Sequence, residues 1–191
     1  VTLRFAANVD HFDRVCRVVK GMRNMVVGAV GARTSAFKTV RIDELALQRN
    51  GITMETFDLS DIFARMRAVD ANGNAYKAKA DRLIGYTDFS DVPAARKDTL
   101  VRLGVVLDTL FEEAKLDALA LRCWVEMQQQ LGISPCVILS EMNDRYLIGA
   151  CEVDVGNAVS MFALSQASGE VATCLDWNNN YADDDDKCIL F

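Results

Sequence analysis

The stretch "NMVVGAVGAR", residues 24–33, indicates the class of fold to which the chain belongs. Met25 to Val30 form a short apolar run that glycines interrupt and close. Such a run is typical of a strand buried on both faces, as in parallel sheets that helices cover on either side. We therefore predict a buried strand at this position.

The segments on either side alternate between helix and strand patterns. Residues 11–24 have helical apolar spacing, residues 52–59 alternate like a strand, and Ser60 is placed to cap a following helix. The polar segment 71–97 contains an Asn-Gly turn and a proline, and we expect it to be exposed. Further helices are predicted at 95–116, 125–132 and 157–166, and further strands at 116–124 and 135–140. This alternation predicts a mainly parallel sheet with ligands at the carboxyl ends of its strands.

Composition excludes several classes of function. The formal charge is -6 and the basic residues are scattered, which argues against nucleic acid as a partner. No apolar run approaches the roughly 20 residues that span a bilayer, and there is no signal-peptide pattern at the N-terminus. We predict a cytoplasmic protein without membrane partners.

The six cysteines are widely spaced and the chain has a single histidine, so a zinc site is not expected. Most of the cysteines lie in apolar runs such as "CVILS" and "GACEV", and we expect them to be reduced and to behave as small buried hydrophobic residues.

The glycine pair in the opening stretch does not form a known phosphate loop. Gly28 and Gly31 give G-x-x-G, not the G-x-G-x-x-G of dinucleotide sites. Arg33, Thr34 and Ser35 follow at the end of the predicted strand. They form either a turn with a helix N-cap or a position that binds an anion or a hydroxyl group.

The terminal stretch "CLDWNNNYADDDDKCILF", residues 174–191, has four readings: a calcium loop, a protease tag, a lipidation signal or part of an active site. The calcium loop lacks its glycine and its final glutamate, and "CILF" lacks an upstream basic patch. We predict a strand that leads into Asp176, a polar loop and a second strand that runs to Phe191. The N-terminus and this end both have the pattern of a chain that is cut.

Two acidic residues stand at junctions between apolar segments and polar turns. Glu152 lies in "CEVD" and Asp176 lies in "LDWN". They are either surface acids at loop ends or carboxylates that share a divalent cation, for which oxygen ligands favour Mn²⁺ or Mg²⁺.

Several strings resemble, in the same order, the L-fucose isomerase and L-arabinose isomerase superfamily, specifically its fucose-isomerase-like branch. They are "VGAVGARTSAFKTVRIDE", "ALRCWVEMQ", "PCVILSEMND", "ACEVDVGNAVSMFAL" and the terminal stretch. The resemblance implies a three-layer α/β sandwich with a mainly parallel, Rossmann-like sheet. It also implies three parts: 1–23 as the tail helix of a preceding domain, 24–167 as a middle α/β domain, and 168–191 as the beginning of a C-terminal domain.

The resemblance assigns the metal-binding and catalytic carboxylates of the family to Glu152 and Asp176. A third ligand, a histidine, is expected beyond Phe191, and we therefore expect residues 1–191 alone to be inactive. Arg122, Trp124, Asn178 and Asn179 are weaker candidates for substrate binding. For each of them, packing or loop capping is an equal alternative.

The implied reaction is aldose–ketose isomerisation of a sugar, a pentose or deoxyhexose, in a homo-oligomeric enzyme that uses Mn²⁺ or another divalent cation such as Mg²⁺. The metal would polarise the carbonyl and stabilise an enediolate, while the carboxylates move a proton between neighbouring carbons. The alternatives are a non-catalytic sugar-binding or regulatory α/β domain, and a metal-dependent aldolase or lyase.

Overall fold

The computed structural model describes residues 2–190, except for the side chains of Asn180 and Asp185. The strands are β1 Val26–Val30, β2 Thr53–Phe57, β3 Ala118–Leu121, β4 Ile148–Cys151, β5 Trp177–Tyr181 and β6 Asp184–Leu190. The helices are α1 Leu3–Met22, α2 Glu44–Arg49, α3 Leu59–Ala68, α4 Asn74–Tyr86, α5 Ala94–Ala114, α6 Cys136–Asp144 and α7 Val155–Ser168. None of the described helices is both long and apolar enough to cross a bilayer.

The first four strands form one sheet in the order β2-β1-β3-β4, and every neighbouring pair is parallel. Parallel strands need crossovers, which the helices between them provide. The predicted α/β class with a parallel sheet is therefore confirmed. The separate hairpin of β5 and β6 is antiparallel.

Alternate residues of the central strands belong to two different cores. Leu119 and Leu121 of β3 point into a core that α3, α4, α5 and α6 complete. Ala118 and Ala120 of the same strand face the core that α7 completes, with Met22 at the end of α1 packed against it. This alternation produces three layers because side chains in a strand point to opposite faces with a period of two. A three-layer sandwich is thus observed.

Several local predictions are wrong. Residues 135–140 were expected to form a strand but belong mainly to helix α6, and the strand lies instead at β4, residues 148–151. The polar segment 71–97 is mostly exposed, as expected, but the helix α4 within it was not predicted. The cap of α3 is Asp58, whose side chain accepts a hydrogen bond from the backbone N–H of Ser60.

The terminal region also differs in detail from the prediction. Asp176 precedes strand β5 and does not end a strand, and Asn178 and Asn179 lie within β5 and not in a loop. The predicted end at Phe191 falls outside the described residues.

A buried ion-pair network joins the helices on one face of the sheet. The ammonium group of Lys79 on α4 lies 2.6 Å from the Asp108 carboxylate and 2.9 Å from the Glu141 carboxylate. Arg145 contacts both carboxylates, at 2.7 Å and 2.6 Å. The side chains of Lys79 and Glu141 are each only 2% exposed. Arg82 adds a third positive group 3.7 Å from Glu141, and these pairs, around a fully buried Lys79–Glu141 contact, fix α4 and α5 against α6.

Replacing Lys79 by Met should lower the free energy of unfolding by about 3–5 kcal/mol, since it leaves the Glu141 charge buried with one partner fewer. Urea unfolding at neutral pH measures the effect. Lys77→Met is the matched control, because Lys77 lies on the same helix but is exposed, and its effect should stay within about 0.5 kcal/mol. Equal effects of the two substitutions would contradict the structural role of the network.

Candidate functional site

A cavity of about 560 Å³ opens at the carboxyl ends of β3 and β4. Its walls are strand β4, the residues that follow β3, helix α6, the first half of α7 and the segment 171–176. Its polar or reactive lining residues are Tyr86, Cys123, Trp124, Gln128, Ser134, Cys136, Ser140, Asn143, Asp144, Cys151, Glu152, Asp154, Asn157, Thr173, Cys174 and Asp176. This is the edge of the sheet at which parallel α/β folds bind ligands.

Glu152 follows β4 in a left-handed backbone conformation, with φ +62, and Val153 after it has φ +57. The N–H of Val153 donates to the carbonyl of Leu121 (3.2 Å), and the N–H of Asp154 donates to the carbonyl of Cys151 (2.9 Å). The left-handed conformation is energetically unfavourable for residues other than glycine, and here two consecutive residues adopt it. Backbone strain of this sort concentrates at functional sites. At this turn the chain leaves strand β4, and the Glu152 side chain lines the cavity.

Two nearby carboxylates act on the Glu152 side chain at this turn. Burial raises the pKa of the Glu152 carboxyl above its usual range, and the charges of Asp176 and Asp154 raise it further. Asp154 also caps α7 by accepting hydrogen bonds from the backbone N–H (2.9 Å) and the side-chain amide (2.7 Å) of Asn157. The two acids predicted from the sequence, Glu152 and Asp176, therefore lie around one cavity and within electrostatic reach of each other.

The donor set fits part of a site for a hard divalent cation. Carboxylate oxygens are the ligands that Mn²⁺ and Mg²⁺ favour, and the described lining has no Lys, Arg or His side chain to balance four acidic residues. Within residues 2–190, however, no group of three or more His, Cys, Asp or Glu residues is arranged to hold a metal ion. Glu152 and Asp176 would supply two of the ligands.

The structure separates the weaker candidates from one another. Trp124 lines the cavity, is 48% exposed and makes an edge-to-face contact with Phe37, with ring centroids 5.6 Å apart. Arg122 does not line it, since its guanidinium lies 2.6 Å from the Glu126 carboxylate and donates to the carbonyl of Trp124 (3.2 Å). Asn178 and Asn179 are exposed in β5 and outside the lining.

The "ART" stretch that follows β1 acts as a turn. The Arg33 guanidinium donates to the carbonyls of Thr34 (3.0 Å) and Phe37 (3.1 Å). The Thr34 hydroxyl donates to the carbonyl of Trp124 at 2.7 Å. These bonds favour the turn over the anion-binding alternative, and they hold the Trp124 segment against the end of β1. Ser35 is exposed and lies in the same turn.

Three cysteines meet at the base of the cavity, which the sequence did not indicate. The thiol of Cys151 donates to Cys123 with 2.7 Å between the sulfurs. A hydrogen bond with Cys151 lowers the pKa of the Cys136 thiol to about 6. The prediction that most cysteines are buried is wrong, because only Cys123 is buried and four of the six are exposed. All six are free thiols, as expected.

Asp154 and Asn157 are further lining residues that the sequence reasoning missed. A signal for Asp154 was available, because an aspartate directly before the apolar pattern of α7 is a typical N-cap. The cysteine cluster had no such signal, since its members are 13 and 15 positions apart along the chain and only the fold brings them together.

With this geometry in place, known proteins offer a comparison. The chain is similar to sulfoquinovose isomerases. It is 26% identical to one from Priestia aryabhattai over 160 residues, which are 81% of this chain and 34% of the relative. It is 28% identical to one from Clostridium sp. (strain MSTE9) over 162 residues, which are 84% of this chain and 36% of the relative.

A sulfoquinovose isomerase from Alkalicoccus urumqiensis is also 28% identical, over 157 residues that are 81% of this chain and 35% of the relative. The chain thus spans about a third of the length of the curated relatives it matches. No family model matches the chain.

Replacing Asp176 by Asn should lower the pKa of Glu152, because the substitution removes a like charge that disfavours its ionised form. The measurement is a carbon-13 NMR titration of the glutamate carboxyl groups in metal-free buffer. Asp183→Asn, at an exposed position in the β5–β6 turn, should leave that pKa unchanged. An unchanged Glu152 pKa in Asp176→Asn would show that the two carboxylates do not meet.

Proposed function

We propose that this chain supplies part of the active site of a sugar isomerase that interconverts an aldose and a ketose. The observation that carries the proposal is the placement of Glu152 and Asp176 around one cavity at the carboxyl edge of a parallel sheet. The names of the similar proteins support the same reaction class. A binding domain without catalysis has no evident use for mutually repelling carboxylates at a strained turn.

The proposed chemistry is a proton shift between neighbouring carbons. In the open-chain sugar, a Glu152 carboxylate oxygen removes the proton from the carbon beside the carbonyl. This gives an enediolate, in which the neighbouring hydroxyl passes its proton to the former carbonyl oxygen. The same carboxyl group then returns its proton to the former carbonyl carbon, which gives the ketose. Without a cation, burial and the neighbouring acids raise the pKa of Glu152, whereas a bound cation would favour its ionised form, which suits proton abstraction.

The remaining wall groups would position the sugar. The exposed face of Trp124 offers an apolar surface to the carbon side of the sugar, and Ser140 and Asn157 offer hydroxyl and amide groups. Segment 171–176 closes one side of the cavity and limits the access of water. Asp176, at its end, would orient the substrate oxygens together with Glu152.

We also propose that the enzyme depends on Mn²⁺ or another divalent cation such as Mg²⁺. When bound, such an ion supplies a Lewis acid that polarises the carbonyl oxygen of the sugar. Glu152 and Asp176 are the residues of this chain that would hold it, because they are oxygen donors whose mutual repulsion a cation would relieve.

Two observations bear on the identity of the sugar. The names of the similar proteins favour sulfoquinovose, a sulfonated hexose. The described lining favours a neutral pentose or deoxyhexose such as L-arabinose or L-fucose, since it has four acidic side chains and no basic one to meet a sulfonate. Because these two observations disagree, an assay with several sugars is needed to identify the substrate.

Glu152→Gln in the full-length protein should lower kcat for aldose–ketose conversion by about 10²–10⁴-fold, because the amide cannot accept the proton. The assay measures ketose formed from L-fucose, L-arabinose and sulfoquinovose, with Mn²⁺ and after its removal by a chelator. Asp183→Asn is the matched control and should retain wild-type kcat.

Wild-type turnover of any of the three sugars, lost in Glu152→Gln, supports the proposed reaction. The sugar with the highest kcat/KM then decides between the neutral and the sulfonated class. A wild-type protein that is inert with all three, with and without Mn²⁺, would overturn the proposed function. Full activity after removal of the metal would overturn the metal dependence alone.

A further inference from the structure

The cysteine cluster has a geometry that the proposed isomerisation does not use. Cys123 follows β3, Cys151 ends β4, and their sulfurs are 2.7 Å apart. The strands that carry them are hydrogen-bonded neighbours in register, with Leu121 opposite Cys151. Cys123 lies two residues beyond this pairing, and the two sulfurs are nevertheless in contact, as a disulfide between them requires.

The three thiols differ in their access to solvent. Cys136 is exposed, Cys151 is half-buried and Cys123 is only 3% exposed. All three line the cavity. The Cys151 thiol contacts Cys123, and it shares the cavity with Cys136. Of the three thiols, Cys136 is therefore the most accessible to a reagent from solvent.

Cys136 also lies where a thiolate is stabilised. It is the first residue of helix α6, which is nine residues long. The free N–H groups of a helix N-terminus favour a negative charge, and they make a thiol in the first turn more reactive towards oxidants. The reactive position and the exposed position are therefore the same residue.

We propose that Cys123, Cys136 and Cys151 form an oxidation site that a hydroperoxide such as H₂O₂ converts to a Cys123–Cys151 disulfide, with Cys136 as the thiol that the oxidant meets first. This proposal is independent of the sugar and of the metal. It assigns a modification to the segments that lead directly into Trp124 and Glu152.

The steps balance with one equivalent of peroxide. The Cys136 sulfur attacks one peroxide oxygen, the O–O bond breaks, and Cys136 becomes a sulfenic acid while one water leaves. The Cys151 sulfur then attacks the sulfur of that acid and releases a second water, which gives a Cys136–Cys151 disulfide. Cys123 attacks the Cys151 sulfur and displaces the Cys136 thiol. The net change is two thiols oxidised by two electrons, one H₂O₂ reduced, and Cys136 regenerated.

The experiment treats the purified full-length protein with equimolar H₂O₂, blocks the remaining thiols with iodoacetamide, and identifies disulfide-linked peptides by mass spectrometry. We expect a Cys123–Cys151 linkage as the main product within each chain, and its reversal by dithiothreitol. A predominant linkage through Cys16, Cys174 or Cys188, linkages between chains, or no disulfide at all would overturn the proposal.

Two substitutions separate the roles of the thiols. Cys136→Ser should slow the formation of the disulfide at least about tenfold while the same linkage still forms, since the buried pair loses its accessible partner. Cys16→Ser, at an exposed thiol on α1, should leave the rate unchanged. Equal rates of disulfide formation in the wild type and in Cys136→Ser would overturn the proposal that the oxidant reacts first with Cys136. Circular dichroism of each variant confirms that the fold is retained.

Discussion

The parallel register of β3 and β4 is the constraint on which the site depends. Ala118 to Leu121 pair with Ile148 to Cys151 residue by residue. The two strands therefore end together, and their next residues emerge at one edge of the sheet. A slip of one residue would turn every side chain of β4 to the opposite face. The register thus places Trp124, Glu152 and the Cys123–Cys151 pair around the same cavity.

The helices that pack against the sheet fix the position of strand β4 at this edge. Strand β4 lies at the border of the sheet, and the buried amide of Asn143 satisfies the carbonyl and the N–H of Gly149 at 3.0 Å and 2.8 Å. Asn143 belongs to α6, which the buried Lys79–Glu141 ion pair joins to α4. A desolvated ion pair is a poor source of net stability, but breaking it is costly. The network thereby fixes a helix that forms one wall of the cavity.

The sequence predicted the elements whose pattern is set by burial alone. The apolar run of β1 and the long period of α5 are of this kind. Residues 135–140 were mistaken for a strand because a short apolar run does not distinguish a buried helix from a buried strand. Helix α4 was missed because its packing depends on a buried lysine, whose partners Asp108 and Glu141 are distant in sequence. At the site, the resemblance to a known family identified Glu152 and Asp176. The thiol cluster, and the finding that Arg122 does not line the cavity, depend on tertiary contacts that no local sequence pattern indicates.

The proposed site requires that Glu152 and Asp176 meet at one divalent cation. Anomalous scattering from crystals of the full-length protein grown with Mn²⁺ tests this claim most directly. We expect one strong peak in the cavity, with carboxylate oxygens of both residues at coordination distance, and loss of that peak in crystals of Glu152→Gln. A peak bound by neither residue, or no peak in a well-ordered cavity at saturating Mn²⁺, would contradict the account.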